Sequence, residues 1–384
     1  MTDRLAALLP YPRSVRPQPG GLQLDAVTPI TAGPGAQGAG AAVRRVLAAL
    51  PWSAEPWPAE RGAAEPGTGS GQSPGPGPAA GEITVDVDSS LPAEGYRLRI
   101  GPSRVRLTAG GEAGAFYAAQ TVRQLLPDEA WRAAPVPGPP WQLPCAEIDD
   151  APALPWRGGH LDVARHFFAK NVLLNFIDML AAHKLNRFHL HLTDDQGWLR
   201  PDIIVMAWRG AGIARRAAEA GHDVIAVPVV PTYFDYAQAD DEREPLAIGE
   251  PVTLQDVAAF APGALVAAWP GQAGRRLVGT QFQLWTEYIP DGRALEYMAF
   301  PRACALADVA WSGGPAHSRG AGRWPERLAA HLDRLDAAGV GYRPLDGPRP
   351  WQQGGTGARG HRAGYRAADV TAHLDEIARQ RGMS

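Results

Sequence analysis

Cysteine is nearly absent. Cys145 and Cys304 are the only two, far apart and in no Cys-X-X-Cys pair, so neither a disulfide framework nor a thiolate zinc site is expected. Lysine occurs only at Lys170 and Lys184; arginine supplies the other basic side chains. Beside heavy Ala, Gly and Pro usage, this reads as a coding bias. An excess of positive charge is missing too: the formal net charge is −3. That argues against a binder of nucleic-acid backbone, and no nucleic-acid partner is expected. No apolar run reaches the roughly 18 residues of a membrane helix. The opening "MTDRLAALLPYPRSV" has no basic leader followed by an apolar stretch. No membrane partner is expected, and the reading places the chain in the cytoplasm.

What is present suffices for two folded regions, since 384 residues at 45% apolar composition can bury a sizeable core. Residues 62–81, "GAAEPGTGSGQSPGPGPAAG", carry almost no bulky apolar side chain and read as a flexible loop. Before them, "AAVRRVLAAL" reads as a short helix. After them, "EITVDVD" and "GYRLRIGPSRVRLTAG" alternate as half-buried strands do, with a hairpin turn at "GPS". "GAFYAAQTVRQLLP" is helical and stops at Pro127. Residues 1–150 are therefore expected to form a small α+β domain, strands first and a helix laid across them.

From Pro155 the pattern becomes strand-then-helix, which predicts a parallel sheet with helices on its faces. Five strands are legible, in "WRGGHLDVAR", "RFHLHLTDD", "DIIVMAW", "HDVIAVP" and "RRLVGTQFQLWTE". A closed (β/α)8 barrel takes eight units and about 250 residues. Residues 151–346 are thus expected to form an incomplete TIM-type barrel of about five units. Residues 347–384 read as a tail, in which "AADVTAHLDEIARQ" can form a last helix.

The strand "RFHLHLTDDQGW" turns Phe188, Leu190 and Leu192 one way, and His189, His191 and Thr193 the other. Asp194 and Asp195 close it. Either histidine alone suits a satisfied core group, and either aspartate suits a helix cap. A His-X-His metal pair would need further ligands at later strand ends, and His222 precedes its strand, so no metal or other cofactor is expected. Other strand ends carry Arg165, Trp208, Tyr233, Asp235, Trp285 and Glu287. Aromatic faces stack on the C–H face of a pyranose, and arginine and carboxylates hold its hydroxyls. Together these residues favour a carbohydrate pocket.

The segments "RGGHLDVARHFF…FIDMLAAHKLNRFHLHLTDDQGW" and "LVGTQFQLWTEYI…EYMAFPRACALADVAW" resemble the first and last parts of the catalytic barrel of β-N-acetylhexosaminidases, glycoside hydrolase family 20. "VMAWRG" and "YFDY" resemble strand ends between them, and "GYRLRI…GAFYAAQTVRQLLP" resembles the α+β domain that precedes that barrel. The resemblance implies that Arg165 and Glu287 hold the 3- and 4-hydroxyls of a terminal sugar and that Trp285 packs on its face. It implies that Trp208 walls the N-acetyl group, Tyr233 donates to the acetamide oxygen, Asp235 binds toward the 6-hydroxyl, and Asp194 supports the acid from behind. The implied partner is a terminal N-acetylhexosamine of a glycan or chitooligosaccharide.

The family's reaction is substrate-assisted and retaining. It requires an Asp to orient the acetamide and a neighbouring Glu as acid, in a His-X-Gly-Gly-Asp-Glu motif after the fourth strand. That motif is absent. The Asp–Glu pairs here, Asp128–Glu129, Asp241–Glu242 and Asp375–Glu376, follow neither Gly-Gly nor a barrel strand. A Pro-Gly-His segment and one pocket tryptophan are missing as well, and all these losses fall between Trp198 and Asp202. The expectation is an internal deletion of about three βα units. The chain would then be inactive or impaired as a glycosidase, or a non-catalytic carbohydrate-binding remnant, and would self-associate through exposed sheet edges.

Overall fold

The computed structural model describes residues 2–52, 81–135, 138, 141–192, 203–208, 210–267, 269, 272–314 and 324–353. Residues 62–80 of the Pro/Gly-rich stretch, Asp194 with Asp195, and the terminal helix expected within 354–384 lie outside them. The chain divides into two compact units. One comprises residues 1–8, 12–151 and 323–339; the other comprises residues 9–11, 152–322 and 340–384.

The first unit is a six-stranded mixed sheet with helices. Its elements are α1 (Thr2–Ala6), β1 (Ser14–Leu24), β2 (Ile30–Ala32), α2 (Gln37–Ala48), β3 (Glu82–Val87), β4 (Tyr96–Ile100), β5 (Arg104–Ala109), α3 (Glu112–Leu125) and β6 (Trp141–Asp150). The strand order is β1-β6-β4-β5-β3-β2. Alternation explains the hairpin β4–β5: Tyr96, Leu98 and Ile100 are buried with Val105, Leu107 and Ala109. The other face of β4 carries Arg97 and Arg99, which pair with Asp149 of β6. Not all strands precede the helices, as the sequence suggested: β1 and β2 come before α2, and β6 follows α3. Prolines and glycines obscured β1, where Pro17, Pro19 and Gly20 sit at a register shift between Pro17 and Gly21. Pro144 does the same within β6. The helix Trp324–Ala337, which the sequence set inside 151–346, groups with this unit. Its buried Arg334 donates to the carbonyls of Ala7 and Gln124.

The second unit is a half-barrel. Its elements are β7 (Trp156–Asp162), α4 (Lys170–Ala182), β8 (Arg187–His191), β9 (Ile204–Ala207), α5 (Ala211–Glu219), β10 (Asp223–Ala226), the short α6 (Val229–Thr232), α7 (Leu254–Ala258), α8 (Pro262–Val266), β11 (Leu277–Leu284), α9 (Gly292–Ala299) and α10 (Arg302–Ser312). All five strands read from the sequence form, and every pairing is parallel. The order is β8-β7-β11-β10-β9. The first and last strands of the unit are thus neighbours at its centre. β8 and β9, consecutive in sequence, lie at opposite edges.

The outer face of the sheet is apolar. Phe282 stacks on Phe234 at 4.8 Å and meets Phe176 of α4 edge-on. Trp311 of α10 packs against two buried cations, with the Arg157 guanidinium carbon 5.0 Å and Lys184 Nζ 4.5 Å from its ring centroid. Arg302 is fully buried and donates to the carbonyls of Phe234, Tyr236, Val252 and Met298. Toward the β8 edge this core runs out: Leu174 and Ile177 on α4, and Leu190 and Leu192 at β8, are exposed.

Close backbone approach at the centre requires glycine. A Cβ on Gly279 of β11 would lie 1.9 Å from the Trp156 carbonyl oxygen. Gly279→Ala is therefore expected to cost roughly 1–3 kcal/mol or more by overpacking. In helix α5 a Cβ on Gly212 meets nothing within 4 Å, so Gly212→Ala should be neutral or stabilising. Urea denaturation of the two variants checks this contrast.

Candidate functional site

The C-terminal ends of β7 and β11 meet around a carboxylate. Asp162, the last residue of β7, is fully buried. Its Oδ1 accepts from the Ala164 amide at 2.8 Å, and its Oδ2 accepts from the Thr286 amide at 3.2 Å. The Thr286 hydroxyl lies 3.1 Å from Oδ2. Burial by itself would raise the Asp162 pKa. The bonds from Ala164 and Thr286 and the charge of Arg165 outweigh burial and hold it below the usual carboxylate range. It therefore stays an anion that pins two loops together.

Arg165 reaches from the loop after β7 toward the end of β11. Its Nη1 is 3.4 Å from Asp162 Oδ2, and its Nε is 3.6 Å from Glu287 Oε1. Its guanidinium carbon stands 5.0 Å from the centroid of Trp285. The structure thus brings together Arg165, Trp285 and Glu287. Tyr233 bridges to Gln283 of β11. Two residues on, Asp235 is buried, and its Oδ1 has no hydrogen-bond partner among the described residues. Burial drives the Asp235 carboxyl well above the usual range; Glu287 and Asp162 add to this and Arg302 opposes it. Trp208 is half-buried just after β9, at the far edge of the sheet. Asp194 lies outside the described residues.

Beneath Trp285 is a polar inner face whose extent the sequence did not reveal. The His160 ring lies 4.7 Å from those of Trp285 and His189 and 5.6 Å from that of His191. Burial, reinforced by the repulsion of His189 and His191, lowers the His160 pKa from an ordinary 6.5 to about 3. His160 is thus a neutral imidazole at physiological pH. Gln281 and Gln283 of β11 share this face. Gln281 Nε2 lies 3.2 Å from His189 Nδ1, which ties the His-X-His strand β8 to β11. The signal for His160, Gln281 and Gln283 was present in the two-residue period counted back from Asp162 and Trp285. It became readable once β7 and β11 were known to be neighbours.

Neither of the Asp–Glu pairs among the described residues belongs to this site. Asp128–Glu129 sits in a short turn of the first unit. Asp241 is tied to Arg243, whose hydrogen bonds hold its pKa at about 2. Asp375–Glu376 lies outside the described residues.

A parallel βα half-barrel with an arginine, carboxylates and aromatics at its C-terminal strand ends has the architecture of a barrel hydrolase. Two family models cover most of the chain. "Glycosyl hydrolase family 20, catalytic domain" matches residues 154–201 and 199–314 as two segments, and "Glycosyl hydrolase family 20, domain 2" matches residues 6–151. The chain belongs to glycosyl hydrolase family 20. A Beta-hexosaminidase of Akkermansia muciniphila is 44% identical over 112 residues, 29% of this chain and 21% of that protein. A Beta-hexosaminidase of Porphyromonas gingivalis is 24% identical over 459 residues, 73% of this chain and 58% of that protein. That alignment is longer than this whole chain, so the relative carries stretches with no counterpart here. Among solved structures, the Streptomyces plicatus N-acetyl-beta-hexosaminidase superposes with a TM-score of 0.67 at 21% identity, over 90% of this chain and 98% of that one. That likeness concerns the fold.

The neutral His160 predicts a pH dependence of stability. Its folded pKa lies below the unfolded value, so the unfolded state binds the extra proton. Stability should be complete above about pH 6.5 and fall as pH drops toward about 3. His160→Gln should flatten this part of the profile, read as urea midpoints from pH 7 to 4.

Proposed function

We propose that this chain retains the family's pocket for a terminal N-acetylhexosamine and has lost, or nearly lost, hydrolysis through it. The observation that carries this reading is the strand order. Consecutive strands β8 and β9 occupy opposite edges of the sheet, where an intact barrel would interpose about three further βα units. The family's acid and acetamide-orienting carboxylates belong to those units. What remains supports recognition: Arg165 and Glu287 for hydroxyls, Trp285 as a stacking face, Tyr233 for the acetamide, and Asp235 toward the 6-hydroxyl. Relatives point to the same sugar. One is the N,N'-diacetylchitobiase of Vibrio harveyi, and a mutant of the Streptomyces plicatus enzyme has been solved with GlcNAc as product.

Loss of a general acid lowers a rate by roughly 10²–10⁴, and loss of the acetamide-orienting Asp lowers it further. On an aryl N-acetylglucosaminide, turnover should fall at least about 100-fold below an intact relative. Turnover within tenfold of that relative would overturn the reading. Sugar binding is a separate arm: N-acetylglucosamine at millimolar concentration should raise the melting temperature, and Trp285→Ala should abolish that shift.

Among the described residues, β8 and β9 have no neighbour on their outer edges, and Leu190 and Leu192 are exposed. Association of copies through these edges follows from unpaired strand backbone. Light scattering across a concentration series should show it, and Leu190→Lys with Leu192→Lys should suppress it.

A further inference from the structure

A hydrogen-bond chain runs across the inner face of the half-barrel and ends on a donor with nothing to donate to. The Trp156 indole Nε1–H donates to Gln281 Oε1 at 3.1 Å. Gln281 Nε2 lies 3.2 Å from His189 Nδ1 and 3.4 Å from Gln283 Oε1. An indole can only donate. That fixes the polarity of everything downstream. Reversing the Gln281 amide would set its NH2 against the indole N–H. The Gln281 NH2 therefore donates, His189 Nδ1 accepts and keeps its ring proton on Nε2, and Gln283 receives through its oxygen.

Gln283 is consequently turned with its own NH2 outward from the chain. That nitrogen is buried, in a residue 4% exposed, and has no partner among the described residues. Gly158 makes the arrangement possible. A Cβ there would stand 2.9 Å from Gln281 Cβ and 3.0 Å from both ends of the Trp156–Gln281 bond. In the ladder Gln283 lies opposite His160, whose Nδ1 is also buried and partnerless. On its other side it bridges to Tyr233. The free donor is therefore set at the pocket and not in the apolar core.

We propose that Gln283 is a binding residue whose NH2 donates to a neutral oxygen acceptor, a hydroxyl or carbonyl of the sugar held against Trp285. Trp156 is then a positioning residue acting through Gln281. This rests on the sugar-binding reading above. The ligand oxygen is neutral because the carboxylates of Asp162 and Glu287 already compete for Arg165 and disfavour a second anion, while an amide NH2 offers no lone pair to a cation.

Calorimetric titration of N-acetylglucosamine and glucose tests the proposal on wild type, Gln283→Leu, Gln283→Glu and Trp156→Phe. Gln283→Leu should weaken binding about 3- to 10-fold, the worth of one neutral hydrogen bond. Gln283→Glu should weaken it further, since an acceptor replaces the donor. Trp156→Phe should weaken it less in the wild type and not at all on top of Gln283→Leu, because it acts only by orienting that amide. Loss confined to N-acetylglucosamine assigns the carbonyl; loss with both sugars assigns a hydroxyl. Unchanged affinity in Gln283→Leu overturns the inference while the sugar site stands. No binding of either sugar by wild type overturns both. If the variants fail to fold, the side-chain amide resonances of Gln283 in wild type decide. A shift at saturating N-acetylglucosamine supports the contact, and an unmoved pair shows that the amide is met by water only.

Discussion

The parallel ladder between β7 and β11 is the constraint on which the second unit depends. Six register pairs join Trp156–Leu161 to Gly279–Leu284, segments more than a hundred residues apart in the chain. The approach is close enough that Gly279 admits no side chain against Trp156. At the top of the ladder the Asp162 carboxylate takes the Thr286 amide and hydroxyl, which fixes the two following loops against each other. Arg165, Trp285 and Glu287 meet because of that lock. The same ladder carries Trp156, Gln281, Gln283 and His160 into one polar layer below.

Burial, set against the hydrogen bonds and charges within reach, decides how the charged groups of this layer behave. Asp162 and Asp235 are both buried aspartates. Asp162 is satisfied by backbone donors and a guanidinium and stays ionised; Asp235 lacks a donor at Oδ1, faces two carboxylates and is driven toward its neutral form. His160 is neutral for the same reason, with two imidazoles beside it. The half-barrel therefore keeps an ion cluster at its rim and an uncharged, hydrogen-bonding floor beneath.

The open side of the sheet shows what a half-barrel gives up. In a closed barrel every strand has two neighbours and every helix packs between two others. Here β8 and β9 have one neighbour each among the described residues. The core thins in that direction: Leu174 and Ile177 on α4 and Leu192 after β8 are exposed, while the centre under Phe282 and Trp311 is fully buried. Stability resides in the middle of the sheet, where Arg157 and Lys184 clasp Trp311 and Arg302 ties together four carbonyls.

Much of the second unit was legible in the sequence. Its five strands alternate or run apolar over short stretches bounded by turns, and each ends in a residue type with an obvious use. Arg165, Tyr233, Asp235, Trp285 and Glu287 could be named as candidates on that basis because strand-end position is a local property. In the first unit β1 and β6 were hidden, since their prolines and glycines break the local pattern while pairing across the sheet sustains the strand. Which strands are neighbours, that Asp162 is the anion binding Arg165, and that Gln283 turns a free amide inward were decided by the fold alone. Periodicity records how one segment meets its own surroundings. Register, burial and the direction of a hydrogen-bond chain belong to pairs of segments far apart, and they exist only once those segments touch.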